Sequence, residues 1–122
     1  MTKEKGQTLI EFALIVPVLV LIVFGILEFG RAFYAYSAIA NSAREGARYG
    51  VVAPDDTTGI KNAAISKAVA VSLTESDITI SYPDGSSSSG NRIRVDVSYL
   101  FDSAVLFIPD FTMTAAATMY IE

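Results

Sequence analysis

The 122-residue chain contains no cysteine and no histidine. The first absence removes disulfide frameworks, thiolate zinc sites and cysteine nucleophiles. The second removes histidine-based triads and the usual transition-metal ligand sets, so that only carboxylate, hydroxyl and lysine chemistry is left. Basic residues are also scarce: 9 Lys and Arg stand against 13 Asp and Glu, giving a net charge of −4 and a pI near 4.7. Phosphate neutralisation needs a basic surface, so the composition speaks against nucleic acid as a partner. The length allows one small domain.

The strongest signal is the stretch KGQTLIEFALIVPVLVLIVFGILEFG, residues 5–30. Its charge-free core from Phe12 to Leu27 would reach about 24 Å as a helix at about 1.5 Å per residue. Extended down to Leu9, and bounded by Glu28 and Arg31, it approaches the roughly 30 Å of a bilayer's hydrocarbon layer. A membrane span over residues 9–27 follows. The remaining residues are too few to cover an all-round apolar cylinder as a core helix. Pro17 removes the hydrogen bond to the Ala13 carbonyl and is expected to loosen that turn, which a membrane helix tolerates.

Glu11 is the anomaly. A carboxylate near the bilayer centre costs about 2.5 to 3.5 kcal/mol on insertion scales. Three readings of the segment compete. A secretory signal would use Lys3 and Lys5 as its basic region and Ala38-Ile39-Ala40 as its cleavage triplet, but the apolar core is too long and the triplet too distant. A plain single-pass anchor accounts for the apolar run and leaves Glu11 without a role, except to snorkel toward the headgroups. The third reading is a pilin-type leader.

Gly6-Gln7-Thr8-Leu9-Ile10-Glu11-Phe12 resembles the prepilin peptidase site of type IV pilin-like proteins, with a short charged leader ending in Gly and a glutamate five positions on. The continuation EFALIVPVLVLIVFGILEFGRAF, followed by NSAREGARYG (residues 41–50), resembles the TadE-like family of the tight-adherence pilus system. The resemblance implies a pilin or pseudopilin made in the bacterial inner membrane, cleaved between Gly6 and Gln7 by prepilin peptidase, and assembled with other pilin subunits by the pilus machinery. It further implies that Glu11, with Phe12 and Pro17, belongs to the assembly helix. The new α-amine of Gln7 would pair with a neighbour's Glu11, rewarding the correct stagger of subunits and penalising others. The positive-inside count runs the other way, with Lys3 and Lys5 before the span and Arg31, Arg44 and Arg48 after it. The arginines have acids close by, Glu28 with Arg31 and Glu45 with Arg48 at i,i+3.

Beyond Leu27 the pattern becomes amphipathic. Phe29, Phe33, Tyr36, Ala40, Ala43 and Ala47 recur at helical spacing, which predicts a stalk over residues 28–50 packing on a small domain through that stripe, with Arg31, Ser42, Glu45 and Arg48 outside it. Pro54 and the Asp55-Asp56-Thr57-Thr58 cluster predict a break and a helix cap. A second helix is expected from about residue 58 to 73. Strand alternation marks residues 77–82 and 92–101, and a third strand is expected near 112–121, where Ala115-Ala116-Ala117 weakens the signal. PDGSSSSGN (83–91) predicts an exposed, mobile loop.

The predicted organisation is a leader at 1–6, an N-terminal helix at 7–50 and a small α+β domain at 51–122, with a second helix and a three-stranded antiparallel sheet. No constellation carries catalysis, and no cofactor or metal is implied. Asp84, the serine run and Asn91 lack the spacing of a calcium loop. Ser66 and Lys67 are helix neighbours that point apart. A structural pilus subunit is the function expected, with a membrane-anchored extracytoplasmic interaction module that does not polymerise as the alternative.

Overall fold

The structure, a computed structural model, describes residues 3–104 and 108–122. The expected connection from Asp102 to Pro109 and the leader at 1–6 therefore lie partly outside the described residues.

One helix, α1 (Lys3–Val52), runs for 50 residues through Pro17 without interruption. At about 1.5 Å per residue it is roughly 75 Å long. It ends two residues beyond Gly50, where the Ala53 N–H closes a last turn on the Tyr49 carbonyl and Pro54 forbids another. The chain turns through Asp56, whose carboxylate accepts the Gly59 N–H at 3.1 Å and caps α2 (Thr57–Lys67). A short 3₁₀ turn (Glu75–Asp77) leads into β1 (Ile78–Ser81), β2 (Arg92–Phe101) and β3 (Phe111–Tyr120). The strands form one antiparallel sheet in the order β1-β2-β3. The fold is α+β, a long N-terminal helix packed on a second helix and a three-stranded antiparallel sheet.

Period-two alternation puts Ile93, Val95 and Val97 of β2 inside, all fully buried. Ala115 and Ala117 of β3 lie beside Val97 and Val95 in register and are buried with them, so the alanine run is strand despite its helical propensity. These residues meet Ile39, Ala43 and Ala47 of α1 and Ile60 and Ala64 of α2 in a single core.

Three expectations are corrected. The second helix stops at Lys67 rather than near Leu73, because the Ala68 N–H bonds the Ile65 carbonyl and tightens the last turn. Ala68 and Leu73 are still buried, reached by irregular chain that must turn back to enter β1. The loop at 83–91 is exposed but organised: Asp84 takes the Arg92 N–H and guanidinium at 2.9 Å each, Asn91 bonds Ser86, and Ser87 donates to Asp55 at 2.6 Å. Gly85 and Gly90, at φ 91° and 87°, supply the left-handed positions that such a tight path needs.

The third correction concerns the packing stripe of α1. Phe29, Phe33 and Tyr36 are 75%, 65% and 47% exposed. The buried line is Glu28, Ala35, Ile39, Ser42, Ala43, Gly46, Ala47 and Gly50. Phe29 and Tyr36 each sit one residue, about 100°, past a member of that line, and Phe33 sits one residue past the half-buried Ala32. Small side chains define the contact because the sheet and α2 approach the helix backbone closely. A Cβ added at Gly46 would stand 3.2 Å from both Ala64 Cβ and Val95 Cγ1, and one at Gly50 only 2.5 Å from Ile93 Cδ1. Ser42, expected on the polar side, is fully buried and donates to the Ala64 carbonyl at 2.7 Å.

Candidate assembly surface

The helix has two environments. From Ala35 onward one side of it is the spine of the core. Before Glu28 its large apolar side chains are exposed, from 44% at Val20 to 69% at Leu14, apart from the half-buried Val16. Among the described residues this is the one helix long and apolar enough to cross a membrane, and none of its most apolar window is buried within the fold. A core helix of a water-soluble domain would be covered, so its burial has to come from outside the chain.

The residues singled out in the sequence fall along this helix. Gly6 and Gln7 lie in its first turns, Gln7 exposed, and the Thr8 hydroxyl donates to the Glu4 carbonyl at 2.8 Å. Glu11, Phe12 and Pro17 are all exposed. Phe29, Phe33 and Tyr36 continue the exposed surface beyond the apolar segment, whereas Ala40 is partly buried and Ala43 and Ala47 are fully buried in the core. The structure thus separates these residues into an uncovered set and a packed set and does not bring them together. Arg44 bonds Asn41 at 3.3 Å, and among the described residues Glu45 and Arg48 make no ion pair.

Between the two environments is a junction that sequence reasoning only half found. Glu28 and Arg31 were expected to be neighbours, and Arg31 Nη2 lies 2.7 Å from Glu28 Oε1. The same carboxylate oxygen accepts the Ala104 N–H at 3.0 Å, and Glu28 is only 8% exposed. Arg31 also donates to the Asp102 carbonyl at 2.6 Å and stacks over the Phe101 ring, 4.6 Å from its centroid. Phe101 in turn packs on Phe111, with ring centroids 5.1 Å apart. The guanidinium of Arg31 holds the Glu28 carboxyl below its ordinary value, helped by the Ala104 N–H, while burial works the other way. One helical turn therefore ties α1 to the β2–β3 end of the sheet. No spacing signal in the sequence links residue 28 to residue 104, and only the fold does so.

The strand and the helix are matched in length. Ile93 meets Gly50, Val95 meets Gly46, and Phe101 meets Arg31. Eight residues of strand cover about 26 Å and 19 residues of helix about 28 Å, so β2 runs antiparallel along the stalk for its whole length. Such a sheet fixes the direction in which the apolar segment leaves the domain. The described residues bring together no group of three or more potential metal ligands.

Comparison with known proteins agrees with the geometry over one part of the chain. Residues 6–48 match the family described as TadE-like protein, so the chain carries a TadE-like domain over that stretch. No curated protein and no solved structure matches the chain significantly.

Proposed function

We propose that this chain, with a TadE-like domain over residues 6–48 and an uncovered apolar helix at its N-terminal end, is a structural pilus subunit, a pilin or minor pseudopilin of a tight-adherence, type IV-like pilus. It is inserted in the bacterial inner membrane with its globular part outside the cytoplasm, trimmed after Gly6 by prepilin peptidase, and drawn into a filament through residues 7 to about 27. It works by assembly and adhesion rather than by catalysis.

The observation that carries this reading is the division of α1 into a bare apolar half and a half built into the core. The bare half needs a hydrophobic environment, which the membrane supplies first and neighbouring helices supply later. The packed half makes the globular part follow the helix rigidly, as a repeating assembly requires. Glu11 is then a register device: exposed, and in no ion pair among the described residues, it pairs in the filament with the amine that cleavage creates on a neighbour's Gln7.

The test is the intact mass and N-terminal sequence of the protein recovered from its native cells. A start at Gln7 supports the pilin route. A start at Met1 leaves a single-pass anchored interaction module, and one near Asn41 would mean a secretory signal removed from a soluble protein.

A further inference from the structure

The end of the sheet where β2 stops and β3 starts lies against the part of α1 that leaves the apolar segment. A groove of about 230 Å³ there is lined by Gly25, Glu28 and Phe29 of the helix and by Phe101, Ile108 and Phe111 of the sheet end. Gly25 lies inside the span at 9–27, and Phe29 only about 3 Å of helix rise beyond its end. The headgroup layer adds roughly 5 to 8 Å on each side of the hydrocarbon. Sheet-end residues that share a groove with Gly25 and Phe29 are therefore at bilayer depth, whatever the direction in which the domain tilts.

Their chemistry suits that depth. Phe29 and Phe111, on the groove side, are 75% and 40% exposed, and Leu100, on the opposite face of the sheet, is 60% exposed, so this end of the domain presents apolar side chains on both faces. The polar groups at this end are paired or face outward: Glu28 is held by Arg31 and the Ala104 N–H, Arg31 uses Nη2 on Glu28 and the Asp102 carbonyl with its side chain half exposed, and the carboxylates of Asp102 and Asp110 are exposed, as headgroup level allows. A carboxylate that is paired and hydrogen-bonded tolerates the edge of the hydrocarbon where a bare one does not. Gly25 of the apolar segment is itself part of the groove's lining, and the large side chains next to it, Phe24, Ile26 and Leu27, are exposed.

We infer that the β2–β3 end of the sheet, through Phe29, Leu100, Ile108 and Phe111, is seated in the interfacial layer of the bilayer, so that before assembly the protein is held by lipid at two places and its domain is fixed in depth. This rests on the reading of residues 9–27 as a membrane span. The seat has a consequence for assembly: a subunit leaving the membrane must release this patch as well as its helix.

The chain has no tryptophan, so single-tryptophan variants report position without interference. The full chain is reconstituted at high lipid-to-protein ratio in phosphatidylcholine vesicles brominated at shallow or deep acyl positions. Leu19→Trp reports the span, Phe111→Trp the seat, and Tyr120→Trp the far end, because Tyr120 pairs with Arg92 at the opposite end of β2 and is 71% exposed. Leu100→Trp repeats the seat measurement at a side chain outside the Phe101–Phe111 ring contact. The inference predicts that both seat variants lose emission to shallow bromines as strongly as Leu19→Trp does to deep ones, while Tyr120→Trp is unaffected. Quenching at Leu19→Trp alone overturns the seat and leaves the span. Quenching at neither overturns both. Quenching of Tyr120→Trp together with the seat variants means a domain lying flat, and overturns the edge-on seat. A seat emission that shifts only as more protein is added per vesicle assigns the patch to a second copy of the chain and overturns the lipid reading.

Discussion

The Glu28 carboxylate accepts a 3.0 Å hydrogen bond from the backbone N–H of Ala104, a residue 76 positions away in the chain. With Arg31 on the same oxygen, this contact joins the exit of the apolar segment to the β2–β3 end of the sheet. It adds a tether to the packing of α1 along the sheet and α2.

Glu28→Gln is expected to lower the thermal midpoint of the full chain in detergent micelles at neutral pH, because the ion pair with Arg31 is lost. The folded-state pKa of Glu28 lies below its ordinary 4.5, so its stabilisation is fully present above pH 4.5 and fades as pH falls through the folded value. The gap between wild type and variant should therefore shrink on acidification below 4.5. A gap that persists unchanged at low pH would show that the charge contributes nothing there.

Gly46 tests how closely the sheet and α2 approach the stalk. Gly46→Ala places a methyl 3.2 Å from Ala64 and Val95, a squeeze offset by a helix-propensity gain of up to about 1 kcal/mol, so it should be close to neutral. Gly46→Leu has no such room and should destabilise by about 1–3 kcal/mol or more through overpacking. Urea unfolding of the two variants side by side measures the difference, and equal stabilities would contradict the close contact.

Ser42→Ala removes the hydroxyl that donates to the Ala64 carbonyl near the end of α2. The Ala68 N–H is engaged by Ile65, so it does not replace the lost donor. A buried acceptor left without its partner costs about 1–3 kcal/mol. Hydrogen exchange should show the loosening at the C-terminal end of α2, and Ser42→Thr should restore part of the protection if its methyl is accommodated.

Glu11→Ala is expected to leave membrane insertion intact, since it removes a charge from an apolar segment. Under the proposed function it should lower the amount of subunit incorporated into filaments, scored by shearing and immunoblotting of intact cells. Filament at wild-type levels would argue against a register role for Glu11.

Much of this architecture was legible because it rests on local physics. The run from Leu9 to Leu27 reads as a membrane-length helix from composition alone, and its exposure in the fold is consistent with that. The alternation in RIRVDVSYLF marked β2 to its end residues, and the aspartate cluster before Thr57 marked the cap of α2. The stalk's packing stripe was misread because apolar periodicity weights large side chains. Phe29, Phe33 and Tyr36 carry the larger signal, yet the sheet selected the neighbouring line of alanine, glycine and serine, where the helix backbone is accessible.

The sequence alone determined which segments are helix and strand and which helix is long and apolar enough to cross a membrane, since hydrophobic period and turn chemistry act over a few residues. Only the tertiary structure decided which face of α1 is covered, where α2 stops, and that Glu28 serves Ala104 as well as Arg31. Those outcomes depend on how closely two distant segments approach, and no local pattern encodes that distance.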